Sequence, residues 1–165
     1  MMKFNTNKTK FMIIKSKNIT QGSFVYNNQC LERVSSYKYL GIDFPHHLNW
    51  NYSIRKIMIG GWKAYYELEK NCKSVDLYIW SKKRFLFETL VTPVVLYRCE
   101  VWGCSISRES WRNIEMIQNK FITYNLKIMG NTPYLIPLIE SGLSPIEITS
   151  MFRYLMYMKK LDNME

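Results

Sequence analysis

The stretch Tyr37-Lys-Tyr-Leu-Gly-Ile-Asp-Phe44 divides the chain into two unlike parts, and no other feature constrains the fold as much. Upstream of it apolar residues come in short runs, and downstream they recur at spacings of three and four. Tyr39, Leu40, Ile42 and Phe44 suit a half-buried pleat, while Gly41 permits a bulge or the close approach of another backbone. The expectation is an α+β fold. A small N-terminal antiparallel sheet or hairpin occupies residues 1–44, and a mostly helical region follows over 45–165. With 165 residues and 47% hydrophobic content the chain can bury a real core, most simply as one domain, and bulk disorder is excluded.

Within the first region, Phe11 to Ile14 reads as a strand. Ser23 to Tyr26, the turn pair Asn27-Asn28 and Gln29 to Val34 read as a hairpin. In the second region Trp50, Ile54, Ile57, Gly61, Tyr65 and Leu68 share one face of a helix, with Glu69 and Lys73 as a surface pair one turn apart. Gly60-Gly61 would kink that helix or admit a close neighbour. Ser74 is placed to cap a second helix, carrying Trp80, Phe87, Leu90 and Val91 and interrupted at Pro93. Ser107 caps a third, with Trp111, Ile114, Ile117, Phe121 and Ile128 inward. Ser144-Pro145-Ile146-Glu147 has the form of a capping box for the last.

Charge narrows the partners. Twenty-three Lys and Arg against 13 Asp and Glu give a formal +10, and the first acidic residue is Glu32. Lys3, Lys8, Lys10, Lys15 and Lys17 therefore carry no local neutralisation, which favours a polyanion or an acidic protein face. Cys30, Cys72, Cys99 and Cys104 lack paired metal-ligand spacing and read as thiols of a reducing, intracellular compartment, nuclear or cytoplasmic. No secretory signal is visible in the polar N-terminus. The apolar window Phe85 to Trp102 contains Glu88, Arg98, Glu100 and Pro93, so it reads as core helix rather than membrane span. Phosphate-binding glycine loops and HExxH are absent. The adjacent His46 and His47 are expected to point apart. Asp43 is the only acid of the predicted sheet core, so no self-contained active site is visible.

Three blocks together carry a resemblance: Asn7-Lys-Thr-Lys-Phe-Met-Ile-Ile14; Leu31 to Val34 leading into Tyr37-Lys-Tyr-Leu-Gly41; and Leu96-Tyr97-x-x-Glu100-Val-Trp-Gly103. With Glu140-Ser-Gly142 and Ser144-Pro145 after them, the chain resembles the C-terminal part of reverse transcriptases of non-LTR, LINE-like retrotransposons, from the distal palm through the thumb and the helices beyond. The resemblance implies distal palm-like strands over 1–44 and a thumb-like helical region over 45–165. Lys8 would lie near the incoming nucleotide, and Tyr39, Leu40 and Gly41 would match the segment that supports the primer strand. Arg98 stands where the family commonly has glycine. The family's aromatic-x-Asp-Asp motif, which holds Mg2+ in the parent enzymes, is not in this chain, nor are the fingers or the endonuclease domain.

The resemblance therefore implies an RNA-directed DNA polymerase fragment that is inactive alone, needs no cofactor itself, and at most grips RNA or an RNA–DNA hybrid or joins the missing palm and fingers. No membrane partner is expected. Candidate contacts are Lys8, Lys10, Tyr37, Lys38, Tyr39 and Gly41, with Lys82, Lys83 and Arg84 as a helical stripe along the duplex backbone. Two alternatives stay open: a protein-interaction module, and a mobile-element remnant without a selected function.

Overall fold

The computed structural model describes residues 9–14, 23–26 and 28–164. The chain forms two compact units, residues 1–53 and 54–165. A small N-terminal mixed β region is followed by a mostly α-helical bundle, so the class is α+β.

The described strands of the first unit are short: β1 (Lys10–Phe11), β2 (Val25–Tyr26), β3 (Gln29–Cys30), β4 (Glu32–Arg33), β5 (Ser36–Tyr39) and β6 (Ile42–Pro45). They pair as three separate two-stranded ladders. β2 and β3 form the expected hairpin, with Asn28 in the left-handed region at φ 58°. β1 and β4 run parallel rather than antiparallel, continued by the Val34 amide donating to the Phe11 carbonyl at 3.0 Å. β5 and β6 are antiparallel, with Tyr39 opposite Ile42. Leu40 and Gly41 between them have φ of 48° and 87°, the two positive values of a type I′ turn, whose twist matches the flanking strands. The Tyr37 to Phe44 stretch is thus a hairpin reversing at Leu40-Gly41, not one pleat with a bulge. Ile42 of the hairpin and Trp50 after it are buried, and Ser53 Oγ donates to the Asp43 carbonyl at 2.7 Å.

The helices are α1 (Asn51–Ser74), α2 (Trp80–Leu86), α3 (Thr92–Val95), α4 (Cys99–Trp102), α5 (Arg108–Leu126), α6 (Leu135–Ser141) and α7 (Ile146–Asp162). In α1 the residues Ile54, Gly61, Tyr65, Leu68 and Cys72 are buried, the periodicity expected of a core-facing stripe. Pro93 does not break the chain of helices. A π turn over Phe87–Val91 carries α2 into α3 and widens the ladder just where proline supplies no N–H and its ring crowds the carbonyl four residues back. Ser74 ends α1 instead of starting a helix, and its hydroxyl donates back to the Asn71 carbonyl at 2.8 Å. Ser107 caps α5 as expected, accepting from the Ser110 amide at 3.2 Å. Ser144 does not cap α7. Pro145 holds ψ at 139° and itself becomes the last non-helical residue, so no side chain caps that end.

The core of the helical unit is aromatic at both ends. Phe87 stacks on Phe121 at 4.2 Å between centroids, with Trp80 on the same Phe121 ring at 5.4 Å. Trp102 lies 5.6 Å from Trp111 and donates its indole N–H to the Tyr97 carbonyl at 2.9 Å. Val95, Leu96, Ile114, Ile117 and Ile122 fill the space between. Of the window Phe85 to Trp102 one side is core, with Phe87, Val91, Val95, Leu96, Cys99 and Trp102 buried, while Phe85 and Leu90 are exposed; among the described residues no helix is long and apolar enough to cross a membrane.

Candidate nucleic-acid interface

The predicted contact residues fall in both units, and the structure treats the two sets differently. Lys8 lies outside the described residues. Lys10, expected to be without a local counter-charge, pairs with Glu32 at 2.9 Å because the parallel register of β1 and β4 sets the two opposite each other. An exposed pair of this kind is worth about 0–1 kcal/mol.

Tyr37, Lys38 and Tyr39 are all exposed on β5. Side chains alternate along a strand, so Tyr37 and Tyr39 share one face and Lys38 takes the other, opposite Asp43. The two tyrosines are 42% and 58% exposed, a large apolar area left in water beside polar hydroxyls. Phe44 extends this face, with its ring 6.4 Å from Tyr39 and 5.3 Å from the buried Trp50. The sequence carries no signal that joins Phe44 and Trp50 to this face, since their position depends on the hairpin turn. Gly41 serves that turn and contributes no side chain.

His46 and His47 at the end of the hairpin do not point apart. Their rings stack at 4.8 Å, held by a contact of 3.0 Å from His46 Nδ1 to the Ser35 carbonyl and by the Asn49 amide donating to His47 Nδ1 at 3.3 Å. The turn after β6 overrides the alternation of an extended chain.

On α2 the stripe Lys82, Lys83 and Arg84 is not a single surface. Lys82 is exposed, but Lys83 is buried, and its ammonium reaches Asn125 Oδ1 at 2.7 Å and Glu69 Oε2 at 3.3 Å. Asn125 closes the triangle by donating to Glu69 Oε1 at 2.6 Å. Glu69 therefore turns inward to a buried cation instead of pairing with Lys73, which lies over the Tyr124 ring at 5.3 Å. Each charged group of the buried pair thus has two polar partners, which offset part of the cost of removing the two charges from water. Lys83 holds α1, α2 and α5 together and has no free ammonium for phosphate. Arg84 is half-buried, 3.6 Å from Glu88 and donating to the Ser141 carbonyl at 3.4 Å.

Neither Cys72 nor Cys99 is an activated thiol: burial pushes both upward from the ordinary thiol range. Among the described residues no three His, Cys, Asp or Glu side chains are grouped as a metal ion would require. A second polar concentration lies on the helical unit, where Arg108, Arg112, Glu115 and Asn119 of α5 face Tyr134 and Glu147 across a groove. Its α5 members are spaced four, three and four, a pattern of one helix face that was present in the sequence. No protein family, curated protein or solved structure matches this chain.

Proposed function

We propose that the chain is a module derived from a non-LTR retrotransposon reverse transcriptase, without polymerase activity by itself, that grips primer–template nucleic acid through the β5–β6 hairpin. The observation that carries this reading is the exposed pair Tyr37 and Tyr39, side by side on one strand face of a chain with a net charge of +10. Aromatic faces that stack on bases or sugars, in a positive field that holds the backbone, are the two parts of a sequence-tolerant grip. The hairpin coincides with the segment that resembles the family's primer support. The backbone at Arg98 adds support, because φ there is 55°, a conformation glycine takes without strain, and glycine is common at that place in the family.

The test is a salt-titrated binding assay of the full chain with an RNA–DNA hybrid, duplex DNA and single-stranded RNA. Binding is expected to favour the hybrid and to fall steeply with salt. Replacing both Tyr37 and Tyr39 by Ala should weaken it by about tenfold or more, since one stacked base is worth about 1–3 kcal/mol. No binding at low salt by the folded protein, or an affinity untouched by the double substitution, would overturn the proposal.

A second reading has an observation of its own. Met151, Phe152 and Leu155 of α7 are 51%, 64% and 61% exposed, an apolar run of the kind that marks a protein interface. A protein-docking module, with the palm and fingers of a polymerase as its partner, would use that face and would ignore nucleic acid in the same assay.

A further inference from the structure

Helix α1 turns one side to the core, and its other side carries a pattern that repeats. Ile59 and Tyr66 are 57% and 59% exposed, and the half-buried Trp62 between them stacks on Tyr66 at 5.8 Å. Spacings of three and four set these residues in one line along the helix. Beside that line Lys56, Lys63 and Lys70, all exposed, recur every seven residues, each about 10.5 Å further along the axis. An apolar seam flanked by a column of charge is the arrangement of a coiled-coil strand, in which the flanking positions choose the partner.

The helix does not neutralise this column itself. Between Ile54 and Lys73 the sequence has five Lys and Arg against two acids, Glu67 and Glu69. Glu69 is turned inward to Lys83. Glu67 lies off the seam, lining a separate groove with Leu86 and Leu90, and among the described residues it forms no ion pair with Lys63 or Lys70. The face therefore keeps an excess of positive charge beside exposed apolar area.

Three kinds of occupant fit this face unequally. A second copy would bring the same lysines and no anion to meet them, and like charges set opposite each other repel. A phosphate backbone would answer the lysines but leave the aliphatic Ile59 without an apolar counterpart, and the column lacks arginine, whose fork suits phosphate. Another helix repeats every seven residues with the same rise, so its own columns keep step with this one. We propose that the outer face of α1 docks an acidic amphipathic helix of a partner protein. The partner's apolar stripe packs on Ile59, Trp62 and Tyr66, and its Asp or Glu side chains, seven residues apart, face Lys56, Lys63 and Lys70. All six residues belong to the helical unit, so the proposal does not rest on the hairpin grip.

The experiment titrates the full chain, by fluorescence anisotropy, into two labelled three-heptad peptides that share a leucine seam, one with Glu and one with Lys at the flanking positions. Polyglutamate of equal length is the charge-only control, and an RNA–DNA hybrid is titrated in parallel. The Glu peptide is expected to bind, and the Lys peptide and polyglutamate are not. The double variant Lys63→Glu with Lys70→Glu should weaken the Glu peptide by about tenfold or more, because two attractions become repulsions, and should let the Lys peptide bind in its place. Both side chains are exposed, so the Tm should hold. Ile59→Ala should weaken the Glu peptide while leaving the hybrid unaffected. The proposal fails if the Glu peptide does not bind, if polyglutamate binds as well, or if the folded double variant keeps the wild-type affinity for the Glu peptide. It also fails if charge reversal weakens the hybrid as much as the peptide, which would make this a face for polyanions. Peptide binding without any hybrid binding would sink the hairpin grip and leave this proposal standing.

Discussion

At the scale of single residues, backbone conformation decides several positions that side-chain chemistry does not. Arg98 precedes α4 with φ 55° and ψ 32°, and its guanidinium lies 5.7 Å from the centre of the Tyr97 ring. Any residue with a Cβ is strained there by about 1–2 kcal/mol, whereas glycine is not. Comparing Arg98→Gly with Arg98→Ala removes the ring contact from both sides and leaves the backbone term. The glycine variant should be the more stable by about 1 kcal/mol, the reverse of their order inside a helix. Urea midpoints of the two variants read this directly, and an alanine variant at least as stable would remove the strain from the account. None of this was visible in the sequence, because an arginine carries no signal for a left-handed backbone. Leu40 shows the same blindness: its φ of 48° is imposed by the pairing of Tyr39 with Ile42, while leucine by itself suggested a continuing strand.

At the scale of elements, the fold depends on how closely helices approach. A Cβ on Gly61 would fall inside the envelope of Val95 Cγ1 and 2.8 Å from Ile117 Cδ1, so α1 meets both α3 and α5 at that glycine. Its neighbour is different, for a Cβ on Gly60 would meet only Val94 Cγ1, at an ordinary 3.4 Å. Gly61→Ala should therefore destabilise by about 1–2 kcal/mol, overpacking against β-branched Val95 outweighing the helix-propensity gain. Gly60→Ala should stabilise by up to about 1 kcal/mol. Paired thermal melts test the contrast, and equal shifts of one sign would show that helix approach does not require glycine at position 61. The double glycine announced a close approach in the sequence but not which residue made it. Ser107 was legible as a cap because a hydroxyl beside a periodic apolar run needs only local geometry. Ser144 misled because Pro145 keeps an extended ψ and displaces the boundary by one residue. Lys83 was hidden between Lys82 and Arg84, and its partners Glu69 and Asn125 lie 14 and 42 residues away along the chain.

At the scale of the whole molecule, the proposed grip and the core belong to different units. The largest fully buried side chains, among them Trp102, Phe87, Phe121, Leu96 and Ile114, all come from residues beyond 53. The proposed stacking tyrosines come from the first unit, whose described strands are two to four residues long. Two-residue ladders add little stability of their own, whereas burial of large apolar side chains contributes about 1.5–3 kcal/mol each. A chain starting at Asn49, which keeps all of α1 and the buried Trp50, should thus retain cooperative thermal unfolding and a helical circular-dichroism spectrum. It should also lose the salt-sensitive preference for an RNA–DNA hybrid, because Tyr37 and Tyr39 are gone while Lys82 remains. Loss of cooperative unfolding would mean that the helical core is not self-sufficient. Retained hybrid binding would instead move the grip from the hairpin to the basic surface of the helices, where Lys82 is exposed and Lys83 is buried.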